Sequence, residues 1–267
     1  MGAERRRSGR VAPTEGLQWR VSSSSHPDVE SSDEERVERL DQVAATLTAV
    51  LGDRDGDARE ERRRAAQRLS ETASTTLGMA PTQLVYGELD VHSVSRILEA
   101  VEVEEGDRFL DIGSGEGLPT LAAALLYPER FHRCRGVEVV PALAARAAAH
   151  AERLGAAVDS GRVRVAPIEL LEGDIYEAAR VPDSPVGKAL AETTLALCFA
   201  TTWSHEPRRT LPELSAVLRD AMPSGARVVM VDARLVEVDG WRWEGDLRIT
   251  PPDTAPHSTA RLYISCR

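Results

Sequence analysis

Phe109-Leu110-Asp111-Ile112-Gly113-Ser114-Gly115-Glu116-Gly117 is an apolar run that breaks into a glycine-rich turn, and Pro119 to Leu126 follows with the composition of a buried helix. Strand, turn and helix in that order are how an α/β unit presents a ligand site. Glycines without Cβ atoms take positive φ and let a ligand approach the main chain. The helix that follows aims free N–H groups and its positive dipole end at that ligand, so a carboxylate or phosphate fits there. The same composition also makes a plain tight turn with no ligand, so the flanking sequence has to decide.

Working outward, strand-like and helix-like segments alternate, which predicts a mostly parallel sheet with helices on both faces. Arg108 to Ile112 reads as the first strand, Arg135 to Val139 as the second, Ile168 to Leu171 as the third, Leu195 to Phe199 as the fourth and Arg227 to Asp232 as the fifth. Helices are expected over Leu89–Val101, Pro119–Leu126 and Ala142–Leu154, the last ended by Gly155. Trp241–Ile249 and Ala260–Ser265 read as an antiparallel hairpin closing the open, twisted sheet. Ahead of this domain, assigned to residues 81–267, a helical extension is expected over 33–80. Its first helix has Ser32 as N-cap and Glu35 as capping-box partner and runs to Gly52; its second spans Ala58 to Leu77 and stops at Gly78. The Arg62-Arg63-Arg64 run reads as a solvated face, or else as a nucleosome-contacting patch. Residues 1–32 mix Arg, Ser, Pro and Gly without apolar periodicity, and the composition predicts disorder.

Two cofactor classes use a glycine turn after a first strand. The dinucleotide fingerprint is G-x-G-x-x-G; here the spacing is G-x-G-x-G, with Leu118 in the place of the last glycine. That spacing favours S-adenosylmethionine on a class I methyltransferase, Rossmann-like fold. Asp111, two residues before the first glycine, agrees, because a carboxylate suits a methionine ammonium better than a pyrophosphate. Glu138 ends the second strand about 25 residues after Gly113, where it can accept from both ribose hydroxyls. It can also be read as a surface glutamate. Asp174 follows the third strand at the same sheet edge and suits the adenine amino group, or else it caps a helix beginning at Ile175.

Val85-Tyr86-Gly87-Glu88, then Phe109 to Gly117, Gly136-Val137-Glu138 and Gly173-Asp174, in this order and spacing, resemble the non-SET histone-lysine methyltransferases of the disruptor-of-telomeric-silencing type. The resemblance covers about Tyr86 to Asp232. It implies that the Tyr-Gly-Glu segment closes over the cofactor, that Glu88 and Asp111 meet the ammonium beside Gly113, Ser114, Gly115 and Gly117, that Glu138 holds the ribose, and that Asp174 contacts the adenine. It also implies a protein substrate, with histone or nucleosome as the target, and a nuclear or cytoplasmic setting. One departure stands out: the family's Asn-Asn-Phe-Ala-Phe run beside the lysine channel reads Leu197-Cys198-Phe199-Ala200-Thr201 here. Tyr86, Phe199 and Thr201 are the channel candidates, joined by Trp203, which also reads as plain core or a loop anchor. His205 reads as a surface histidine, and Cys198, with no partnered histidine, as a small buried hydrophobe.

Composition narrows the classes further. A formal net charge of −10 repels a phosphate backbone at long range, so strong direct nucleic-acid binding is not expected. Lys188 is the one lysine among 33 basic residues, a bias from which no phosphate-binding surface can be read. Three scattered cysteines show no disulfide or metal spacing and suit a reducing compartment. No apolar run reaches the roughly 18 residues of a membrane span. The Arg-rich start followed by Ser22 to Ser25 has some character of a transit peptide, but Glu4, Glu15 and the lack of an apolar face argue against organelle import. Three readings follow: a protein-lysine methyltransferase, a methyltransferase for another protein or a small molecule, and a non-catalytic module that keeps the fold.

Overall fold

Val43, Leu47, Val50 and Leu51 recur at helical spacing and form the buried stripe of α1 (Asp33–Leu51). The computed structural model describes residues 33–53, 55–80, 84–161, 163–178, 180–201, 203, 209–237, 240–249 and 258–266. The stretch 1–32, with the expected cap Ser32, and the pair His205 and Glu206 lie outside the described residues. The second helix, α2 (Gly56–Leu77), starts two residues earlier than its sequence suggests, because the Asp55 side chain accepts from Ala58 N. It ends as expected at Gly78, which takes φ 65° and donates to Ser74 O. Asp90 caps α3 (Val91–Ala100) by accepting from Ser93 N, which moves that helix's start to Val91.

β1 (Asp107–Ile112), β2 (Phe131–Glu138), β3 (Ile168–Glu172), β4 (Leu195–Phe199) and β5 (Arg227–Val231) are parallel. β7 (Ser258–Ser265) runs antiparallel between β5 and β6 (Trp241–Ile249), so the sheet order is β3-β2-β1-β4-β5-β7-β6. Side chains alternate along each central strand. Phe109, Leu195, Leu197, Val229 and Val231 enter one apolar cluster with α1, α3 and α4 (Leu118–Leu126). Leu110, Ile112, Ala196, Cys198, Val228 and Met230 enter another on the opposite face, with α6 (Ile175–Ala178), α7 (Pro185–Glu192) and α8 (Pro212–Ala221). That period of two, with helices on both faces, is what a doubly covered parallel sheet requires.

Three helical features depart from the sequence reading. α5 (Pro141–Asp159) runs through Gly155 for four more residues, and the left-handed turn comes at Gly161, φ 71°. A glycine inside a helix weakens it by about 1 kcal/mol without ending it. α7 and α8 are additional; both begin with proline in the first turn, and Ser184 caps α7 by accepting from Gly187 N at 3.0 Å. The start of α7 is tightly packed, since a Cβ on Gly187 would lie 2.5 Å from the Pro182 carbonyl oxygen. Gly187→Ala is therefore expected to destabilise the protein by about 1–3 kcal/mol in denaturant unfolding. A loss under about 0.5 kcal/mol would mean that the turn yields.

Candidate functional site

β1 and β4 are neighbours, and the chain leaves β1 toward β2 on one side and reaches β4 on the other. At such a switch point the loops after adjacent strands diverge and leave a crevice at their carboxyl ends. The glycine turn stands there. Gly113, Gly115 and Gly117 have φ of 74°, 56° and 89°, values that disfavour side chains. Gly113 N and Ser114 N both donate to Val137 O, at 2.9 and 3.0 Å, Gly115 N donates to Glu138 Oε2 at 2.8 Å, and Gly117 N donates to Ser114 O at 2.8 Å. These four amides hold the turn to β2 and to itself. The glycines' contribution is room for close approach.

A cleft of about 920 Å³, open mouth included, lies against this turn. Its wall brings together Tyr86, Gly113, Gly115, Glu138, Asp174 and Phe199 of the sequence candidates, and Trp203 with them. Glu88, Asp111, Ser114, Gly117 and Thr201 are not in that wall. Ser114 packs on Gly136, where a Cβ would meet its side chain at 2.8 Å, and Gly117 packs on Ala147. Thr201 donates its hydroxyl to Asp232 Oδ2 at 3.2 Å. Asp232 itself sits at φ 60° and also accepts from Ser258 Oγ and Thr259 N.

Glu138 is 6% exposed, and its two oxygens accept from Gly115 N and Val140 N, each at 2.8 Å. Burial raises its pKa, and these backbone donors partly offset the rise. Asp174 accepts from Tyr176 N at 2.8 Å, so it fixes the start of α6 while facing the cleft. Asp111 lies beneath the turn and accepts from Thr120 Oγ1 at 3.0 Å. Burial pushes its pKa up to about 7, against the lowering influence of Thr120. Cys198 is fully buried beside it, and desolvation raises its thiol, in keeping with a packed small side chain.

Aromatic rings roof the turn. A Cβ on Gly115 would lie 2.9 Å from the Tyr86 ring, one on Gly113 would lie 3.0 Å from Trp203, and one on Gly87 would lie 2.8 Å from Phe199. The Tyr86 hydroxyl donates to Glu88 Oε1 at 2.9 Å. Burial, with the charges of Glu88 and Glu116, raises the Tyr86 pKa and keeps the phenol protonated.

Sequence reasoning missed a set of residues on the N-terminal helices. Arg62, read as part of a solvated face, is buried: its guanidinium pairs with Asp53, Glu88 and Glu116, while Arg63 and Arg64 stay exposed. Gln67 accepts from Tyr86 N at 2.7 Å, and Ser70 and Met79 contribute to the cleft wall. The signal was present in the spacing, because Arg62, Ala66, Ser70 and Ser74 are the buried positions of α2 and recur every four residues. Tyr176 joins the wall from α6. Among the described residues, no cluster of His, Cys, Asp and Glu is arranged to hold a metal ion, and no helix is long and apolar enough to cross a membrane.

The strand order with its inserted antiparallel strand, the glycine turn at the switch point and the acid closing β2 define a class I fold, that of the S-adenosylmethionine-dependent methyltransferases. Residues 78–200 match the family described as "Histone methylation protein DOT1", the family that the motifs resemble. No curated protein sequence matches the chain significantly. Solved structures similar to it include an RNA methyltransferase from Salinibacter ruber in complex with S-adenosyl-L-homocysteine, 23% identical, covering 67% of this chain and 94% of that one at a TM-score of 0.45. The rRNA methyltransferase aviRa from Streptomyces viridochromogenes is 15% identical over 66% of this chain and 85% of that one, at 0.46. An arsenic(III) S-adenosylmethionine methyltransferase from Chlamydomonas reinhardtii is 18% identical over 62% and 65%, at 0.40.

Proposed function

We propose that the chain methylates an amine on a protein, with a lysine of histone H3 type as the target class and S-adenosylmethionine as the donor. The observation that carries this reading is the convergence, in one cleft at the switch point, of the Glu138 carboxylate, Asp174 and the rings of Tyr86, Phe199 and Trp203. These residues suit the donor part by part. Glu138 keeps lone pairs for two ribose hydroxyls, Asp174 suits an adenine amino group, and Val139, Val140 and Leu143 offer an apolar wall beside it. The family resemblance assigns Asp111 and Glu88 to the methionine end, with Gly113, Ser114, Gly115 and Gly117 as the turn beneath it; of these, Gly113 and Gly115 line the cleft. Aromatic faces also favour a neighbouring cation.

When bound, S-adenosylmethionine supplies an electrophilic methyl group on a sulfonium. The chain's own part is to orient the acceptor and exclude water. Tyr86, Phe199 and Trp203 would form the dry passage, with Thr201 at its margin. A lysine amine, of ordinary pKa about 10.4, has to shed its proton first, and desolvation among these rings lowers that value. With its raised pKa, Tyr86 serves as wall and hydrogen-bond donor, not as base.

The match to a histone methylation family supports the protein-amine acceptor. One observation favours a second reading, a different protein or a small molecule as acceptor. The position of the family's channel asparagine is Cys198, which is fully buried and brings no amide. Incubating the protein with methyl-labelled S-adenosylmethionine and nucleosomes, free histones or cell extract separates the two. Label on histone lysine is the expected result; label confined to small molecules would reject it. No turnover and no donor binding would leave a non-catalytic module.

A further inference from the structure

Arg62 projects from α2 into a pocket of three carboxylates. Its Nε and Nη2 donate to Asp53 at 2.8 and 2.9 Å, its Nη1 and Nη2 donate to the two oxygens of Glu88 at 2.9 and 2.8 Å, and Nη1 also reaches Glu116 Oε2 at 2.5 Å. The side chains of Arg62, Asp53, Glu88 and Glu116 are 5%, 9%, 2% and 0% exposed. Arg146 on α5 adds a second cation, its Nε lying 2.7 Å from Glu116 Oε1 outside hydrogen-bonding geometry. Burial alone would lower the Arg62 pKa, but Glu88, Asp53 and Glu116 raise it above its ordinary value, so the charge is permanent.

The two carboxylates that matter for the cleft belong to segments that carry no helix or strand. Glu88 ends the Tyr-Gly-Glu segment, and Glu116 sits inside the glycine turn. A guanidinium can bridge both because its donors are fixed in one plane. We infer that Arg62 is a positioning residue of the cofactor cleft, clamping the Tyr86–Glu88 segment to the glycine turn and so holding Tyr86 against Gly115. Gln67, five residues further along α2, also holds the segment by accepting from Tyr86 N. In this arrangement Glu88 acts mainly as the segment's anchor, both of its oxygens being engaged by Arg62 and one by Tyr86 as well. The inference rests on reading the cleft as a S-adenosylmethionine site.

The test compares the full chain with Arg62→Met, Arg62→Lys and, as a control, Arg63→Met at an exposed neighbour. Two quantities are measured: amide hydrogen exchange over residues 84–90 without cofactor, and the Kd for S-adenosylmethionine. In Arg62→Met, exchange over 84–90 should rise at least about tenfold while the amides of β1, β4 and β5 keep their protection, and Kd should rise at least about tenfold. Arg62→Lys keeps the charge and loses the fork, so it should fall between Arg62→Met and wild type, and Arg63→Met should match wild type. Unchanged exchange over 84–90 in Arg62→Met, or in Arg62→Lys should the first variant not fold, overturns the clamp. Loosened exchange in Arg62→Met, when the wild type itself binds no S-adenosylmethionine, upholds the clamp and removes the cofactor reading instead.

Discussion

Glu138→Ala is expected to raise the Kd for S-adenosylmethionine by about 10- to 100-fold, the loss of roughly 1.5–3 kcal/mol that accompanies removal of a charged hydrogen-bond acceptor. The carboxylate has two duties in the folded chain. It faces the cleft where a ribose diol would lie, and it ties Gly115 N and Val140 N to the end of β2. Alanine leaves both amides without that acceptor and loosens the turn, so part of the loss would come from the turn's geometry. Glu138→Gln keeps one carbonyl oxygen but presents an NH2 to the second amide, and should recover only a fraction of the affinity. Isothermal titration of the two variants, with thermal unfolding to confirm that they are folded, checks the assignment. Wild-type affinity in Glu138→Ala would remove Glu138 from the site.

Cofactor affinity should also depend steeply on pH through Asp111, whose buried carboxyl has its pKa pushed up to about 7 by desolvation. If the ammonium of the donor meets this acid, binding requires the charged form. Below about 7 the proton has to leave on binding, and as pH rises Kd should fall by nearly tenfold per pH unit at first, about fiftyfold in all between pH 5 and pH 7. Above about 8 the ammonium itself begins to lose its proton, as α-amino groups do, and affinity should decline again. Stability of the cofactor-free protein should move the opposite way. A carboxyl with a raised folded pKa adds its stability fully below the unfolded value near 4, and loses it as pH rises through 7. Asp111→Asn should erase the acidic limb of the binding profile. A profile that stays flat from pH 5 to pH 7 in the wild type would sink the contact.

How far the residues announced this depended on range. The β1-turn-α4 unit was legible because each contact in it is local: three glycines with positive φ between an apolar strand and an apolar helix admit few alternatives. The antiparallel hairpin was legible for the same reason. α7 carries little periodic signal because it spans only eight residues with a glycine third, while α8 shows its Leu214, Val217 and Leu218 stripe only once its proline start is recognised. Phe199, Trp203 and Tyr86 are legible as channel candidates from the motifs, and the three rings share the cleft wall. Arg62 was the instructive miss. Three consecutive arginines look solvated, and the partners that bury the first of them lie 9, 26 and 54 residues away. Long-range charge pairing leaves no local trace beyond the four-residue recurrence of small side chains behind it.

The placement of α2 bears on how the protein can be cut. Ala66 shares a small apolar cluster with Val140 and Leu143 of the β2–α5 junction, and Leu69, Ala73 and Leu77 pack against it. A fragment beginning at Pro81, although it retains every strand and the whole glycine loop, would lose the cover that α2 gives Val140 and Leu143. It would also remove Arg62, the cation paired with the buried Glu88, and leave Glu116 with Arg146 alone. Such a fragment should precipitate or fail to retain ligand, and a shortened version meant for crystallisation should keep both leading helices.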